Sequence, residues 1–337
     1  MTVKKPKLAL CYDRRLYRDA FRDVDWRRLA EVADIVERAP LMSYVDERAT
    51  ALLPEVEVLI TGWDAPLLDE AGLANLPRLK MISHLGATVK AHHASAVWRR
   101  GVRVSSAVEA TAYPVIEFTI AAIVFSGKHV LARSRKYCTT RAFPHPDDEF
   151  DIGLMGQTIG IVGASRVGLP VIERLRDFDV EVLVYDPFLS REHARGLGAE
   201  KVDELDELVV RSNIVSIHAP VTDQTINMFD AARLAKLRDG ATLINTARGV
   251  LVDQEALIAE LERGRISAVI DVTHPEPLPA DSPLFTLPNV LLTPHMAGPM
   301  GLERSRMFAS VVDEVGRFCS GRSLRGEISL ESLGRIG

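Results

Sequence analysis

Short apolar runs alternate with amphipathic stretches along the whole chain. Runs typical of β-strands are predicted in the first part at Lys7–Tyr12, Val56–Thr61, Leu79–His84 and Val102–Val104. A second series is predicted at Thr158–Val162, Glu181–Asp186, Ile214–His218, Thr242–Asn245, Ala268–Asp271 and Val290–Leu292. Strands that alternate with helices are typical of βαβ units. The pattern therefore predicts an α/β protein with two doubly wound parallel sheets.

The intervening stretches carry signals for the start and end of helices. Helices are predicted in the first part at Trp26–Val32, Val45–Leu53, Ala65–Gly72 and His93–Arg100. In the second series, Asp203 and Asp253 precede helical segments as N-caps, and Gly264 is a natural C-terminal stop. A last helix is predicted over Met300–Cys319, followed by an irregular tail.

One long helix is predicted over Ala112–Ala132, with apolar residues on nearly every side. Such a helix is usually buried, often at a domain junction or a subunit interface. No run of 18 uninterrupted apolar residues occurs, so no membrane-spanning segment is predicted. The polar stretch Arg133–Asp151 lacks a period and is predicted to be a connection. Its basic residues Arg133, Arg135, Lys136 and Arg141 indicate a solvated helix end, with substrate binding as the alternative.

Length and composition narrow the class of protein. A chain of 337 residues suggests two domains at about 150 residues each. Forty-one Lys and Arg against 46 Asp and Glu give a net charge of −5, so no general attraction to nucleic acid or an anionic membrane is expected. Cys11, Cys138 and Cys319 lie far apart and predict neither a disulfide framework nor a metal site. We therefore expect a cytoplasmic protein with reduced thiols.

A glycine-containing turn follows the first strand of the second series. Gly163, Ser165 and Gly168 stand where a dinucleotide-binding turn has three glycines, and only the second position departs from that pattern. The Ser165 side chain reduces the clearance for a pyrophosphate, although its hydroxyl can also donate to a phosphate oxygen. Asp186 ends the next strand, where an acid accepts the ribose hydroxyls and repels a 2′-phosphate. NAD is therefore predicted rather than NADP.

Polar residues that suit oxo-acid chemistry follow three later strands. They are Arg248 in TLINTARG, Asp271 and Glu276 in AVIDVTHPEP, and His295 in LLTPHMAG. Each alone is compatible with an ordinary ion pair or loop residue. Together, at the strand ends of an α/β sheet, an Arg can hold a carboxylate, a His can donate a proton and a Glu can stabilise the protonated imidazole.

These segments, in this order, resemble the D-isomer-specific 2-hydroxyacid dehydrogenases over nearly the whole chain. The resemblance implies Arg248, Glu276 and His295 as the catalytic set, with His295 as the proton donor. Asp271 would bind the nicotinamide carboxamide, and Gly86, Ala87, Thr88 and Arg248 would bind the substrate. The implied cofactor contacts are Gly163, Ser165, Arg166, Val167, Gly168, Asp186, His218, Ala219, Pro220, Thr246, Ala247, Arg248, Asp271, His295 and Gly298.

The resemblance also implies how the chain divides. Residues 1–108 and 299–337 would form a flavodoxin-like substrate domain, and residues 109–298 an inserted Rossmann domain that binds NAD. The long helix would build a homodimer. The family commonly reads Asn-x-Pro-Gly at the hinge, but this chain has Ser106-Ala107-Val108-Glu109. Glu109 would either disfavour doubly anionic substrates or face solvent.

The predicted activity is hydride transfer between NAD(H) and a small D-2-hydroxy or 2-oxo acid, that is, a dehydrogenase acting on CH–OH donors. Two alternatives share the fold. Formate dehydrogenases have Gln at the position of Glu276, which favours keto-acid reduction for this chain. Corepressor-like proteins bind NAD and peptides and can retain the catalytic set. Which hydroxy acid is used does not follow from the sequence.

Overall fold

The structure is a computed structural model that describes residues 4–13, 21–143 and 152–333. It divides into two compact units. One contains the described residues up to Ala112 and those from Pro299 onward, and the other runs over Tyr113–Gly298. Parts of the predicted connection 133–151 and of the tail lie outside the described residues.

The first unit is built on a five-stranded parallel sheet. Its strands are β1 (Lys7–Cys11), β2 (Asp34–Ile35), β3 (Val58–Gly62), β4 (Met81–Leu85) and β5 (Arg103–Ser106), in the order β2-β1-β3-β4-β5. The helices are α1 (Asp23–Val32), α2 (Glu47–Leu52), α3 (Glu70–Ala74) and α4 (Ala96–Arg99). This flavodoxin-like order buries β3 and β4 along their whole length, including their polar residues Thr61, Ser83 and His84.

The C-terminal part of the chain completes this unit. Helix α12 (Arg304–Cys319), which follows a 3-10 turn at Gly301–Glu303, packs its apolar face on α1 and β4. The tail then runs along the edge of the sheet, where Glu327 forms an antiparallel bridge with Ser105 and a two-bond ion pair with Arg103 at 2.7 Å. The tail predicted as irregular is therefore held by the edge strand.

The second unit is built on a seven-stranded parallel sheet with the order β12-β11-β10-β9-β6-β7-β8. Its strands are β6 (Thr158–Val162), β7 (Glu181–Tyr185), β8 (Glu200–Lys201), β9 (Ile214–Ile217), β10 (Thr242–Asn245), β11 (Ser267–Ile270) and β12 (Val290–Leu292). Its helices are α7 (Gly168–Leu175), α8 (Arg191–Gly196), α9 (Leu205–Arg211), α10 (Ala231–Leu234) and α11 (Gln254–Glu262). The order reverses between β6 and β9, which is the switch point where Rossmann folds bind dinucleotides.

The register of this sheet brings the strand ends to one edge. Val162 at the end of β6 pairs with Tyr185 of β7 and with Ile217 of β9. Asn245 at the end of β10 pairs with Ile217 and Ile270. Because the last residues of neighbouring strands are partners, the segments that follow them all begin at the same edge.

The predicted fold of two parallel α/β domains is confirmed, with local corrections. The predicted helix Ala65–Gly72 begins only at Glu70, where Asp69 caps α3. The predicted helix over Ala112–Ala132 is two helices, α5 (Val108–Gly127) and α6 (Val130–Thr140). They are separated at His129, which has a φ of +47°. The first part of the predicted connection 133–151 thus belongs to helix α6. This helix buries no side chain, so its sequence lacks the apolar period by which a helix is recognised. Asp203 does not cap α9, because the helix begins at Leu205 with Glu204 at the N-cap position; the Asp203 side chain pairs with Arg191 instead.

Helix α5 was predicted to be buried, and that prediction is only partly right. Its exposed residues are spaced four apart and form one stripe, which contains Glu109, Tyr113, Glu117, Ala121 and Phe125. Tyr113 is 43% exposed and Phe125 is 50% exposed. By length and composition alone, α5 could also cross a membrane, a test that core helices of other proteins pass too.

Candidate active site

The predicted phosphate-binding turn lies between β6 and α7, at the switch point of the second sheet. Gly163 has a φ of +98°, in the left-handed region that favours glycine. A Cβ added at Gly168 would lie 1.9 Å from the carbonyl oxygen of Gly163. A Cβ on Gly163 would lie 2.8 Å from the backbone nitrogen of Ala219, after β9. Both glycines are therefore required by close packing, and the turn lies directly on the predicted contacts His218 and Ala219.

Ser165, the residue that replaces the second glycine, caps the start of α7. Its Oγ accepts hydrogen bonds from the backbone N–H groups of Val167 and Gly168, both at 3.3 Å. N–H groups at the start of a helix are the donors that bind a phosphate in dinucleotide-binding turns. The hydroxyl thus engages donors that a pyrophosphate would use.

Replacing Ser165 by glycine is expected to tighten NADH binding by about fivefold, the equivalent of one hydrogen bond. The change frees the N–H groups of Val167 and Gly168 and removes the Cβ. A fluorescence titration with NADH measures the effect, and Ser165→Ala separates the loss of the hydroxyl from the loss of the Cβ. Weaker binding by both variants would mean that the hydroxyl donates to the phosphate.

Asp186 follows β7 and is tied to the same turn. Its Oδ2 accepts from the backbone N–H of Ala164 at 2.7 Å, and its Oδ1 accepts from that of Phe188 at 2.7 Å. Each oxygen retains further lone pairs. The carboxylate is therefore fixed beside the turn while it can still accept the two hydroxyls of a ribose.

The remaining predicted cofactor contacts on this side lie around the turn and after β9. Arg166 is exposed, and Val167 precedes α7. His218 is buried, its Nε2 lies 2.9 Å from the Ser216 hydroxyl, and burial lowers its pKa to about 3. The His218 imidazole is therefore neutral near pH 7. Pro220 accepts a hydrogen bond from Thr225 through its carbonyl oxygen at 2.7 Å.

The loop that carries Arg248 follows β10 and is held by hydrogen bonds from the side chain of Asn245. The Asn245 amide donates to the carbonyl oxygen of Arg248 at 2.9 Å, and its Oδ1 accepts from the N–H of Ala247 at 3.1 Å. A Cβ at Gly249 would lie 2.1 Å from the carbonyl of Thr273. Gly249 therefore lets this loop approach the segment that carries Glu276.

The Arg248 side chain is largely buried. Burial lowers the pKa of its guanidinium, and the nearby Glu276 carboxylate opposes this shift. A guanidinium remains charged in proteins, so Arg248 places a desolvated cation near Glu276. Such a cation binds a carboxylate more strongly than a solvated one does. The neighbouring Thr246 is buried and lies 3.2 Å from the hydroxyl of Thr119 on α5.

His295 and Glu276 form a direct pair. His295 Nδ1 lies 2.6 Å from Glu276 Oε1, and the two side chains are 47% and 45% exposed. With Nδ1 bound to the carboxylate, Nε2 is the nitrogen that remains for a substrate. The pair has the arrangement in which a carboxylate orients an imidazole for proton transfer.

Asp271 holds the loop that carries His295. Its Oδ1 accepts from the Thr293 hydroxyl at 2.6 Å and from the N–H of Met296 at 2.8 Å, and its Oδ2 accepts from the N–H of Ala297 at 3.0 Å. The backbone N–H of His295 donates to the Asp271 carbonyl at 2.9 Å. These bonds hold His295 at a φ of +51°, in a region that non-glycine residues rarely adopt. Gly298 ends this loop and the unit.

Three residues that the sequence analysis did not single out support this site. They are Asn245, Thr293 and Thr119. Asn245 and Thr293 end or follow a strand just before a predicted site residue, a position that could have drawn attention to them. Thr119 has no such signal, because it lies far along the chain from its partner Thr246.

The predicted substrate turn Gly86–Thr88 belongs to the first unit. It follows Leu85, the last residue of β4. Gly86 is buried, whereas Ala87 and Thr88 are partly exposed. Its backbone thus emerges at the carboxyl edge of the five-stranded sheet, where ligands of open α/β sheets bind.

The family described as "D-isomer specific 2-hydroxyacid dehydrogenase, NAD binding domain" matches residues 121–297, more than half of the chain. The chain belongs to the D-isomer-specific 2-hydroxyacid dehydrogenase family. The matched range contains every predicted cofactor-binding residue except Gly298, so the second unit is the NAD-binding domain of this family.

Relatives of known activity lie within the same family. The chain is 30% identical to a glyoxylate reductase of Korarchaeum cryptofilum over 87% of its own length and 86% of the relative. It is 31% identical to a D-3-phosphoglycerate dehydrogenase of Methanocaldococcus jannaschii over 75% of its length. The chain spans about half the length of such D-3-phosphoglycerate dehydrogenases, 47% in this case.

Solved structures show the same fold. A D-mandelate dehydrogenase of Rhodotorula graminis superimposes with a TM-score of 0.80 over 96% of this chain and 98% of that chain, at 23% identity. At that identity the similarity establishes the fold, and the choice of substrate has to be argued from the site.

Proposed function

We propose that this protein catalyses reversible hydride transfer between NAD(H) and a small D-2-hydroxy acid or 2-oxo acid. The observation that carries the proposal is the hydrogen bond between His295 Nδ1 and Glu276 Oε1 at 2.6 Å, with the partly buried Arg248 guanidinium in electrostatic interaction with Glu276. An oriented imidazole and a desolvated cation supply the two functions that oxo-acid reduction needs. They are a proton donor and a group that binds a carboxylate.

The mechanism assigns one task to each side chain. When bound, NADH supplies the hydride that the keto carbon receives. Arg248 binds the substrate carboxylate through its two-pronged guanidinium and orients the keto group. His295 donates a proton from Nε2 to the developing alkoxide, and Glu276 stabilises the imidazole that bears the proton. Gly86, Ala87 and Thr88 are proposed as further substrate ligands through their backbone N–H groups.

The residues around β6 and β7 suit NAD. The turn between Gly163 and Gly168 lies at the start of α7, where a pyrophosphate would take the place of the Ser165 hydroxyl on the N–H groups of Val167 and Gly168. Asp186 is hydrogen-bonded to the same turn, at the position of the acid that binds the adenosine ribose in such folds. An ionised Asp186 accepts hydrogen bonds from ribose hydroxyls and repels a 2′-phosphate. We therefore propose NAD as the cofactor in preference to NADP, with Asp271 and Thr246 near the nicotinamide.

A homodimer is the proposed assembly. Helix α5 leaves the apolar side chains of Tyr113 and Phe125 about half exposed. Helix α6 buries none of its residues, and Tyr137 on it is 49% exposed. A second copy of the chain would cover these surfaces. Sedimentation velocity should give a species of twice the chain mass, and a monomer at micromolar concentration would contradict the proposal.

The three cysteines, all within the described residues, are free thiols, and Cys11 is buried. Free thiols are typical of proteins in a reducing compartment. We therefore propose a cytoplasmic location.

A panel of 2-oxo acids of different size and charge tests the proposed function. Glyoxylate, pyruvate, phenylglyoxylate and 3-phosphohydroxypyruvate are each mixed with NADH or NADPH, and cofactor oxidation is followed by absorbance. We expect turnover of a small monocarboxylic 2-oxo acid with NADH and much slower turnover with NADPH. Preference for 3-phosphohydroxypyruvate would contradict the hypothesis that Glu109 disfavours doubly anionic substrates.

Two outcomes would favour the alternative functions. Formate oxidation by NAD without turnover of any 2-oxo acid would indicate a formate dehydrogenase. NADH-dependent capture of a peptide partner without any turnover would indicate a corepressor-like binding protein. The intact pair of His295 and Glu276 supports the reductase, because formate oxidation releases no hydroxyl proton.

A further inference from the structure

Three buried polar side chains are linked beneath the turn Gly86–Thr88 in the first unit. Thr61 lies on β3, His84 lies on β4 and His93 lies in the loop that follows the turn. The Thr61 hydroxyl oxygen is 2.9 Å from His84 Nδ1 and 3.3 Å from His93 Nε2. None of the three residues is more than 2% exposed. They therefore form a buried hydrogen-bonded chain, which we call the Thr61 relay.

Burial determines the protonation of the relay. It lowers the pKa of His93 to about 3 and holds the pKa of His84 well below its ordinary value. The charges of His93 and His92 lower the pKa of His84 further. Both rings are therefore neutral near pH 7. A hydroxyl has a single proton, so Thr61 donates to one ring and accepts from the other. The removal of this hydroxyl would leave both rings without that partner.

The His84 ring packs directly against the turn. A Cβ added at Gly86 would lie 2.7 Å from His84 Nε2 and 2.9 Å from Trp63 Nε1. Among the described residues, His84 Nε2 has no hydrogen-bond partner. The ring of His92, which comes from the loop after the turn, lies 4.9 Å from the ring of His84 between centroids. The His84 ring therefore occupies the space that a side chain at position 86 would fill, so the ring and the backbone of the turn are close neighbours.

A metal centre does not account for the three histidines. Within the ranges that the structure describes, no group of three or more His, Cys, Asp or Glu side chains could hold a metal ion. The side chain of His92 is directed elsewhere, with Nδ1 at 3.0 Å from the carbonyl oxygen of Ala65. Burying polar groups costs free energy that hydrogen bonds offset, and a buried hydrogen-bonded cluster fixes the local structure around it.

We propose that Thr61 and His93 are positioning residues that hold the His84 ring against Gly86. The ring in turn fixes the backbone N–H groups of Gly86–Thr88 in the direction of the substrate carboxylate. The inference rests on the proposed function, because it takes this turn as a substrate ligand. The three side chains reach no surface, so they act through the turn and do not touch the substrate.

Replacing Thr61 by valine tests the relay, because valine keeps the shape and removes the hydroxyl. The expected result is a rise of about tenfold in KM for the 2-oxo acid, the cost of leaving a buried group unpaired. The kcat and the affinity for NADH should change little, and oxamate binding to the enzyme–NADH complex should weaken by the same factor. Thr61→Ser should restore the KM, because it returns the hydroxyl.

Ser83→Ala is the matched control. Ser83 is the neighbour of His84 on β4, and its hydroxyl makes a buried hydrogen bond of 3.1 Å with that of Ser105. Its removal also breaks a buried bond in the sheet, but it leaves the Thr61 relay intact, so the KM should not change. His93→Leu removes the other half of the relay and serves if Thr61→Val does not fold. It should raise the KM for the 2-oxo acid.

Three outcomes would overturn the inference. They are an unchanged KM in Thr61→Val, an equal loss of NADH affinity, and an equal rise of KM in Ser83→Ala. Absence of turnover by the unaltered chain would contradict the proposed function instead. In that case, amide hydrogen exchange of residues 85–90 tests the relay without catalysis. We expect faster exchange in Thr61→Val than in Ser83→Ala. Equal exchange rates in the two variants would overturn the inference about the Thr61 relay.

Discussion

Replacement of His295 by alanine should lower kcat by about 10²–10⁴-fold, the usual contribution of a general acid. NADH should still bind, because the phosphate-binding turn and Asp186 lie on other strands of the sheet. In this structure Nδ1 of His295 is occupied by Glu276 at 2.6 Å, which leaves Nε2 to deliver the proton. Steady-state rates with the best 2-oxo acid and a fluorescence titration with NADH measure the two quantities.

The matched control is His193→Ala, which removes an exposed imidazole on α8 in the same unit. It should leave both kcat and NADH affinity unchanged. An unchanged kcat in His295→Ala, together with a much weaker affinity for NADH, would contradict the assigned role, since His295 would then serve the cofactor. Loss of both turnover and NADH binding, together with a lower melting temperature, would indicate that the loop held by Asp271 has lost its structure.

The strands were the most predictable part of the fold. The predicted bounds Thr158–Val162, Thr242–Asn245 and Val290–Leu292 are those of β6, β10 and β12. Strands in a parallel sheet covered on both faces need a continuous apolar run, and such a run is visible in a sequence. The edge strands β2 and β8 have only two residues each, and each includes an exposed acid. They leave no apolar run to detect.

The same reasoning explains the helices. Asp253 was predicted to start α11, and its side chain accepts from the N–H of Ala256 at 3.0 Å. Helix α6 could not be found in this way, because a helix without a buried face has no period in its sequence. Where a helix is formed without packing, the chemistry at its ends is the only remaining signal. Here the ends are His129 and Arg141, both in left-handed conformations.

For the candidate site, the sequence indicated the residues but not their connections. Asp271 was singled out as a cofactor ligand, yet its carboxylate also accepts from the backbone of Met296 and Ala297. Thr61 and His93 were not singled out at all, because their contact joins positions 32 residues apart. Contacts between distant positions depend on how strands are ordered, and residue spacing does not reveal them.

Replacement of Arg248 by glutamine is expected to lower kcat/KM for the 2-oxo acid by about 10²–10⁴-fold. Two hydrogen bonds from a charged donor to a carboxylate account for a loss of this size. The Arg248 side chain is only partly exposed, so water screens its attraction to a carboxylate less than at the surface; the same burial lowers the pKa of its guanidinium. Steady-state kinetics and NADH titration separate the effect on substrate from the smaller effect expected on the cofactor.

Arg248→Lys keeps the charge and loses the two-pronged geometry. Its kcat/KM should therefore lie between that of Arg248→Gln and that of the unaltered chain. Arg238→Gln removes an exposed guanidinium that precedes β10 and should have no effect. If Arg248→Lys is as active as the unaltered chain, the cation acts through charge alone. If Arg248→Gln retains full activity, the carboxylate is bound elsewhere. The backbone of Gly86–Thr88 would then have to bind it without a cation, and the Thr61 relay would become the main determinant of substrate affinity.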